Sequence, residues 1–251
     1  MTTTTRLRAA GVLSALVLAS TALTACTSQS TPQARTSAAH PQPSSRKAAA
    51  GVVVVIGASV SGGYNASPGA AWPTELANRL HHSDPSYQLV NASISATRLL
   101  TDSGPTMPSS LTREDKDALA VPGVRTVILT DLINDIQQPP HQYDPAVIIA
   151  GLKSFITRAH AKQVRVVGTT IPPYGGFERY EPAGERCRQA VNTAIRAGRL
   201  FDAFIDFDAT LKDPTTPTRL RPTYDSGDHL HPNTPGHQAI SQSINPTLLT
   251  Q

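Results

Sequence analysis

From residue 51 onward, short apolar runs alternate with longer stretches in which apolar residues recur every three or four positions. Residues 51–56 form a continuous β-branched run, Gly-Val-Val-Val-Val-Ile, that stops at Gly57. That is the pattern of a strand buried on both faces. Similar runs recur at 88–92, 124–130, 164–169 and 203–207. Between them lie helical patterns. Residues 72–82 carry Pro73 in the first turn, and 110–120 space Leu111 and Leu119 along a charged segment. Asp144-Pro145 is a capping pair ahead of a stripe of Ile148, Leu152, Phe155, Ile156 and Ala159. Residues 185–198 and 235–244 supply two more helices. Strands alternating with helices predict a mostly parallel sheet of about five strands covered on both sides, a three-layer α/β/α domain over 51–251. In such sheets chemistry collects at the carboxyl ends of the strands.

The first fifty residues follow a different pattern. Arg6 and Arg8 precede an apolar run from Ala9 to Ala25, the layout of an export signal. The run falls short of the ~20 apolar residues a bilayer span needs and is diluted by Ser and Thr. It ends in Leu23-Thr24-Ala25-Cys26, which resembles the lipobox of bacterial lipoproteins. In that family the Cys is acylated and becomes the new N-terminus, so the resemblance implies a signal peptide at 1–25 and lipidation of Cys26. Ordinary signal cleavage nearby, for instance after Ala22, is the other reading. Residues 27–50 are rich in Ser, Thr, Pro, Gln and Ala and cannot bury enough apolar surface to fold, so they read as a flexible tether. Together these readings place the domain outside the cytoplasmic membrane, held there through the lipid or else secreted.

Charge changes one expectation. The whole chain carries +4, a balance that would suit a nucleic-acid partner. Yet five of its 22 Lys and Arg, and none of its 18 Asp and Glu, lie in the first fifty residues, which leaves 17 basic against 18 acidic residues beyond them. The folded part has no basic cluster, so no nucleic-acid partner is expected. Cys187 is the one cysteine besides Cys26 and lies on a helical face, where it reads as an ordinary packed residue.

Two places carry candidate chemistry. Ser59 follows the first strand at once, in Ile56-Gly-Ala-Ser59-Val-Ser-Gly-Gly63. A hydroxyl at a strand-to-helix turn is lifted clear of the sheet, and nearby N–H groups can face an oxyanion. A phosphate-binding loop is an alternative, although the string lacks the G-x-x-x-x-G-K-[ST] pattern. It also departs from G-x-S-x-G, with Ser61 where the second Gly would stand. The second place is Gly227-Asp228-His229-Leu230-His231-Pro232-Asn233. A serine nucleophile needs a base, and the base needs a group that fixes its tautomer; Asp228 and His231 could supply both from one loop. A metal site using Asp228, His229 and His231 lacks a further ligand with suitable spacing, and neither metal nor cofactor is expected. A polar loop leading into a helix, capped by Asn233 or Thr234, is a further reading.

Ser59, Asn91-Ala-Ser-Ile-Ser-Ala96-Thr-Arg98, Ile133-Asn134-Asp135 and Asp228-His-Leu-His231-Pro232 together resemble, in order and spacing, the four blocks of the SGNH (GDSL-type) hydrolases. The stretch 203–236 is similar to the subgroup called lysophospholipase-L1-like esterases. The resemblance covers nearly all of 51–251 and implies a flavodoxin-like fold and an acyl-ester substrate. It implies Ser59 as nucleophile, His231 as general base and acid, and Asp228 as its orienting partner. The oxyanion hole maps to the N–H groups of Ser59 and Ala96 and the side-chain amide of Asn134.

Three positions depart from the family pattern. Ala58 replaces an Asp that supports the nucleophile turn, Ala96 replaces a Gly, and Leu132 replaces a Gly two residues before Asn134. Ala96 would be strained if the position requires positive φ, and Leu132 would place bulk near the site. No group that transfers a proton or accepts the acyl is lost. The segment Pro172-Pro-Tyr174-Gly-Gly-Phe177 follows the fourth strand, where Tyr174 and Phe177, with Tyr180, could wall an acyl or sugar group. With few aromatic residues and no long apolar lid, short acyl esters are expected. A non-catalytic binding lipoprotein for acylated carbohydrate or lipid is the competing reading.

Overall fold

A computed structural model describes residues 51–251; the proposed signal, Cys26 and tether lie outside the described residues. The sheet contains β1 (Gly51–Ile56), β2 (Tyr87–Asn91), β3 (Val124–Leu129), β4 (Arg165–Thr169) and β5 (Ala203–Ile205). All pairings are parallel, in the order β2-β1-β3-β4-β5. Helices α1 (Trp72–Ser83), α2 (Ser110–Glu114), α3 (Ile133–Gln137), α4 (Pro145–Ala161), α5 (Pro182–Arg196), α6 (Phe207–Leu211) and α7 (Thr234–Ser243) fill the connections. The three-layer α/β/α architecture expected from the sequence is the one observed.

The two cores follow from the period-two geometry of β1. Successive side chains point to opposite faces. Val52, Val54 and Ile56 therefore pack with Leu152 and Phe155 of α4 and Val191 and Ile195 of α5. Val53 and Val55 pack on the other face with Trp72, Leu76 and Leu80 of α1, Phe207 and Leu211 of α6, and Ile240 of α7. Each such fully buried aliphatic side chain contributes roughly 1.5–3 kcal/mol of transfer free energy.

Element boundaries differ from the hydrophobic runs where local capping overrides them. The run at 203–207 ends as a strand at Ile205, because the Asp206 side chain accepts from the Ala209 N–H (2.9 Å) and starts α6. The run at 88–92 pairs as β2, but it is an edge strand and only partly buried. The helix at 110–120 starts behind Ser109, whose Oγ accepts from the Thr112 N–H (3.1 Å), and widens into a π-helical turn at Asp115–Leu119. Asp144 caps α4 as its sequence implies, accepting from the Ala146 N–H at 2.8 Å.

The chain leaves β1 for β2 on one side and returns to β3 on the other. The carboxyl ends of β1 and β3 thus border the switch point of the sheet, where a crevice opens in folds of this kind. Ser59 follows β1 and Asn134 follows β3.

Candidate active site

Ser59 lies in the turn that leaves β1. Its Oγ is 2.9 Å from Nε2 of His231, 172 positions away in the chain. His231 is held from behind: its Nδ1 is 2.6 Å from Asp228 Oδ2. With Nδ1 donating to that carboxylate, Nε2 is left as an acceptor for the serine hydroxyl. Asp228 is itself fixed locally, since its Oδ1 accepts from the N–H groups of Leu230 (3.0 Å) and His231 (2.8 Å). Burial works to raise the Asp228 pKa, but these two N–H bonds and the His231 ring outweigh it and hold the carboxyl below its ordinary value. An ionised carboxylate here would stabilise the His231 imidazole in its protonated form. From the turn that carries Ser59, Asn65 Nδ2 reaches Asp228 Oδ2 at 3.2 Å and Ser226 Oγ at 2.9 Å.

The loop that carries this pair is anchored at both ends. Asn233 accepts from the Gly236 N–H (3.0 Å) and caps α7, and that cap leaves Asp228 and His231 free to pair with each other. At the other end Asp225 accepts from the N–H groups of Gly227 (2.8 Å) and His229 (3.0 Å) and lies 2.5 Å from His229 Nδ1. His229 thus turns to Asp225 while His231 turns to Asp228. These side chains do not converge on a common point, and among the described residues no group of three or more His, Cys, Asp or Glu is placed to hold a metal ion.

Opposite Ser59, the loop after β2 presents Ala96, and α3 presents Asn134. Asp135 pins the first to the second: its carboxylate accepts from the N–H groups of Leu99 (2.6 Å) and Leu100 (3.0 Å). Asn134 Nδ2 donates to the Thr97 carbonyl at 2.9 Å, which leaves its second N–H available. The N–H groups of Ser59 and Ala96 have no backbone acceptor among the described residues. A cavity of about 220 Å³ is lined by Ser59, Ala96, Asn134 and His231 with Tyr64, Gln137, Gln138, Phe177 and Leu230. A separate hollow of about 370 Å³, with Asp213, Arg219, Asp225 and His229 in its wall, has no hydroxyl bonded to a His ring among the described residues. Chemistry, not volume, selects the smaller one.

Residues 55–239, well over half of the chain, match the GDSL-like lipase/acylhydrolase family. The chain belongs to that family. Its class of chemistry is carboxylic ester hydrolysis. Solved structures agree on the fold. The aryl esterase of M. smegmatis superposes with a TM-score of 0.62 at 15% identity, covering 77% of this chain and 95% of that one. A carbohydrate acetylesterase from Sinorhizobium meliloti gives 0.60 at 15% identity over 77% and 96%. An acetyl xylan esterase from Geobacillus stearothermophilus gives 0.58 at 19% identity over 78% and 93%. No curated protein sequence matches significantly.

Against the family pattern, each of the three departures resolves differently. At Ala58 the turn does not lack a carboxylate. Asp131, just after β3, is buried beneath it, and its Oδ2 accepts from the N–H groups of Ala58 (2.6 Å) and Ser61 (2.9 Å). Ala96 does take up the left-handed conformation, with φ of 63°. Leu132 does not line the cavity; its side chain is buried in the core that packs against α4 and α5.

The expected aromatic wall is half present. Phe177 lines the cavity. Tyr174 does not; it is fully buried in the core with its ring centroid 5.1 Å from that of Tyr180, while the next residue, Gly175, donates its N–H to the Thr218 carbonyl. Sequence reasoning missed Tyr64, an exposed ring tilted over His231 with centroids 4.5 Å apart, and also Asp131 and Gln137. Tyr64 lies five residues past Ser59 on the same turn, so proximity in sequence was an available signal. Cys187 is buried in α5, and burial pushes its thiol up to about 11, which disfavours the thiolate.

Proposed function

We propose that this family member hydrolyses short acyl esters through an acyl-serine intermediate, outside the cytoplasmic membrane. The observation that carries the reading is the continuous chain Ser59 Oγ, His231 Nε2, His231 Nδ1, Asp228 Oδ2, at 2.9 and 2.6 Å. In the first half-reaction Ser59 Oγ attacks the ester carbonyl while its proton passes to His231 Nε2. Negative charge then develops on the former carbonyl oxygen. The N–H groups of Ser59 and Ala96 and the remaining Asn134 amide N–H are the donors available to it. The C–O bond to the alcohol breaks as His231 returns the proton to the leaving oxygen. In the second half a water, deprotonated by His231, releases the acid and restores Ser59.

The small cavity supports a short acyl group. Its apolar side comes from Phe177 and Leu230 and its polar side from Gln137, Gln138 and Ser95. That mixture suits an acetyl-sized group on a hydroxyl-bearing alcohol, the kind of substrate named for the carbohydrate acetylesterase and acetyl xylan esterase that share the fold. The similarity of 203–236 to lysophospholipase-L1-like esterases is part of the same reading.

Location follows from Leu23-Thr-Ala-Cys26. A multiply acylated Cys26 would hold the enzyme stably at the membrane, where one chain would not. Among the described residues no helix is long and apolar enough to cross a membrane. Cys26→Ser should therefore release the protein into the medium or leave it unprocessed. Identical partitioning of variant and wild type would replace anchoring by ordinary secretion.

The central test is a panel of p-nitrophenyl esters of rising chain length, run with Ser59→Ala alongside. Turnover should be greatest on acetate and butyrate and absent in the variant, and a fluorophosphonate should label Ser59. A folded Ser59→Ala protein that keeps wild-type turnover would overturn the mechanism. A wild type that turns over no ester would favour the binding lipoprotein.

A further inference from the structure

The hydrolase reading assigns no role to Asp131, a buried side chain bonded to the turn that carries Ser59, and any role for it in turnover rests on that reading. Asp131 is 9% exposed and sits at a φ of 61°, a conformation Asp tolerates better than most residues. Both of its strong contacts go to a single oxygen. Oδ2 accepts from Ala58 and Ser61, the residues one before and two after Ser59. Oδ1 accepts from Thr130 Oγ1, at 3.3 Å. Gly57 makes this approach possible, because a Cβ there would lie 3.0 Å from Oδ2 and 2.7 Å from Thr130 Cγ2. The carbonyl side of the same turn is held separately: Arg113 donates to the Gly57 carbonyl at 2.8 Å, and Asn91 Nδ2 to the Ser61 carbonyl at 2.7 Å.

We infer that Asp131 is a positioning residue for the ester hydrolysis: its Oδ2 clasps the Ala58 and Ser61 N–H groups from below the turn. This clasp fixes the peptide between them so that the Ser59 N–H and Oγ face the cavity. The carboxyl that the family carries beside the nucleophile, at the position of Ala58, is supplied in this chain from the end of β3. The register of β1 on β3, with Ile56 opposite Leu129, brings residues 73 positions apart into contact. Because one oxygen with two lone pairs serves both N–H groups, an amide can replace the carboxyl here. A side chain that does not reach them cannot.

Two substitutions separate this role from a general contribution to folding. Asp131→Asn keeps an oxygen in place and tolerates positive φ; Asp131→Gly removes the oxygen without backbone strain. For each, the concentration of competent sites is titrated with a fluorophosphonate, and kcat is expressed per titrated site. Asp131→Gly should titrate fully yet lose about 10²-fold in kcat, with KM changed by less than about threefold, since a misplacement of about 1 Å costs that much. Asp131→Asn should stay within about fivefold of wild type on the same scale. If the Gly variant does not fold, Asp131→Ser, whose hydroxyl is one bond shorter than the carboxyl oxygens, takes its place with the same expectation. Full kcat per titrated site in the Gly or Ser variant overturns the inference, because Asp131 then only stabilises the fold. An equal loss in Asn and Gly overturns it too, since the oxygen alone would not suffice. Failure of the hydrolase reading shows itself elsewhere, as absent turnover and absent Ser59 labelling in the unsubstituted protein.

Discussion

Gln137 Nε2 donates to Asn134 Oδ1 at 2.8 Å, and this bond decides which end of the Asn134 amide can act as a donor. With Oδ1 turned to Gln137, Nδ2 sends one N–H to the Thr97 carbonyl at 2.9 Å and keeps the other. Both residues project from α3, a helix of five residues, at i and i+3, where side chains on a helix meet. Asn134 is 3% exposed, so its amide would be costly to leave unpaired and has little freedom to rotate.

Asn134→Ala should lower kcat on a short ester by about 10²–10³-fold, the usual cost of one oxyanion donor. Gln137→Met keeps the volume but releases the amide, and should cost about tenfold, less than loss of the donor itself. Steady-state kinetics on both variants checks the pair. A loss below about fivefold for Asn134→Ala would make that residue structural.

Asp228→Asn should be more severe. The substitution leaves a side chain of the same shape but removes the charge that stabilises the imidazolium, and it invites the wrong tautomer of His231. The loss in kcat should approach the ~10⁴-fold seen when the orienting carboxylate of a serine hydrolase triad is neutralised. A variant within about tenfold of wild type would mean that another group, such as Asn65, orients the ring.

Ala96 has φ of 63° in a position where Gly would be unstrained. The strain amounts to about 1 kcal/mol, and it can be relieved by tilting the N–H away from its target. Ala96→Gly should therefore raise kcat several-fold with little change in KM, and should not lower the melting temperature. A flat or reduced kcat would show that Ala96 already donates well and that Gly adds only mobility.

Glu114 gives a pH dependence with a definite sign. It is fully buried, and burial pushes its pKa up to about 7 although Arg158, 2.5 Å away, pulls it down. Its unfolded value is about 4.3. Below that value both states are protonated and its contribution to stability is fully present. As pH rises toward 7 the unfolded chain loses the proton first, so stability is lost across that window and levels off above it. Glu114→Gln should therefore gain on wild type as pH rises from about 5 to about 8. Thermal unfolding of both proteins at fixed ionic strength checks this; a difference that does not vary with pH would contradict it.

The sequence by itself determined what rests on local periodicity and local capping. The β-branched run Val52–Ile56 carries the pattern of a strand buried on two faces, and the stripe behind Asp144 that of a helix with one buried side. In the loop from Gly227 to Asn233, Asp228 and His231 stand three residues apart, so their contact needs no distant partner. Tertiary structure decided the rest. Tyr174 and Phe177 are equally aromatic and three residues apart, yet one is in the core and the other in the cavity, a difference set by a loop turn that carries no periodic signal. Asp131 was silent because a lone Asp after a strand has no pattern. Its contact with Ala58 exists only through the register of two parallel strands and a single left-handed residue, neither of which is encoded within the reach of local hydrogen bonds.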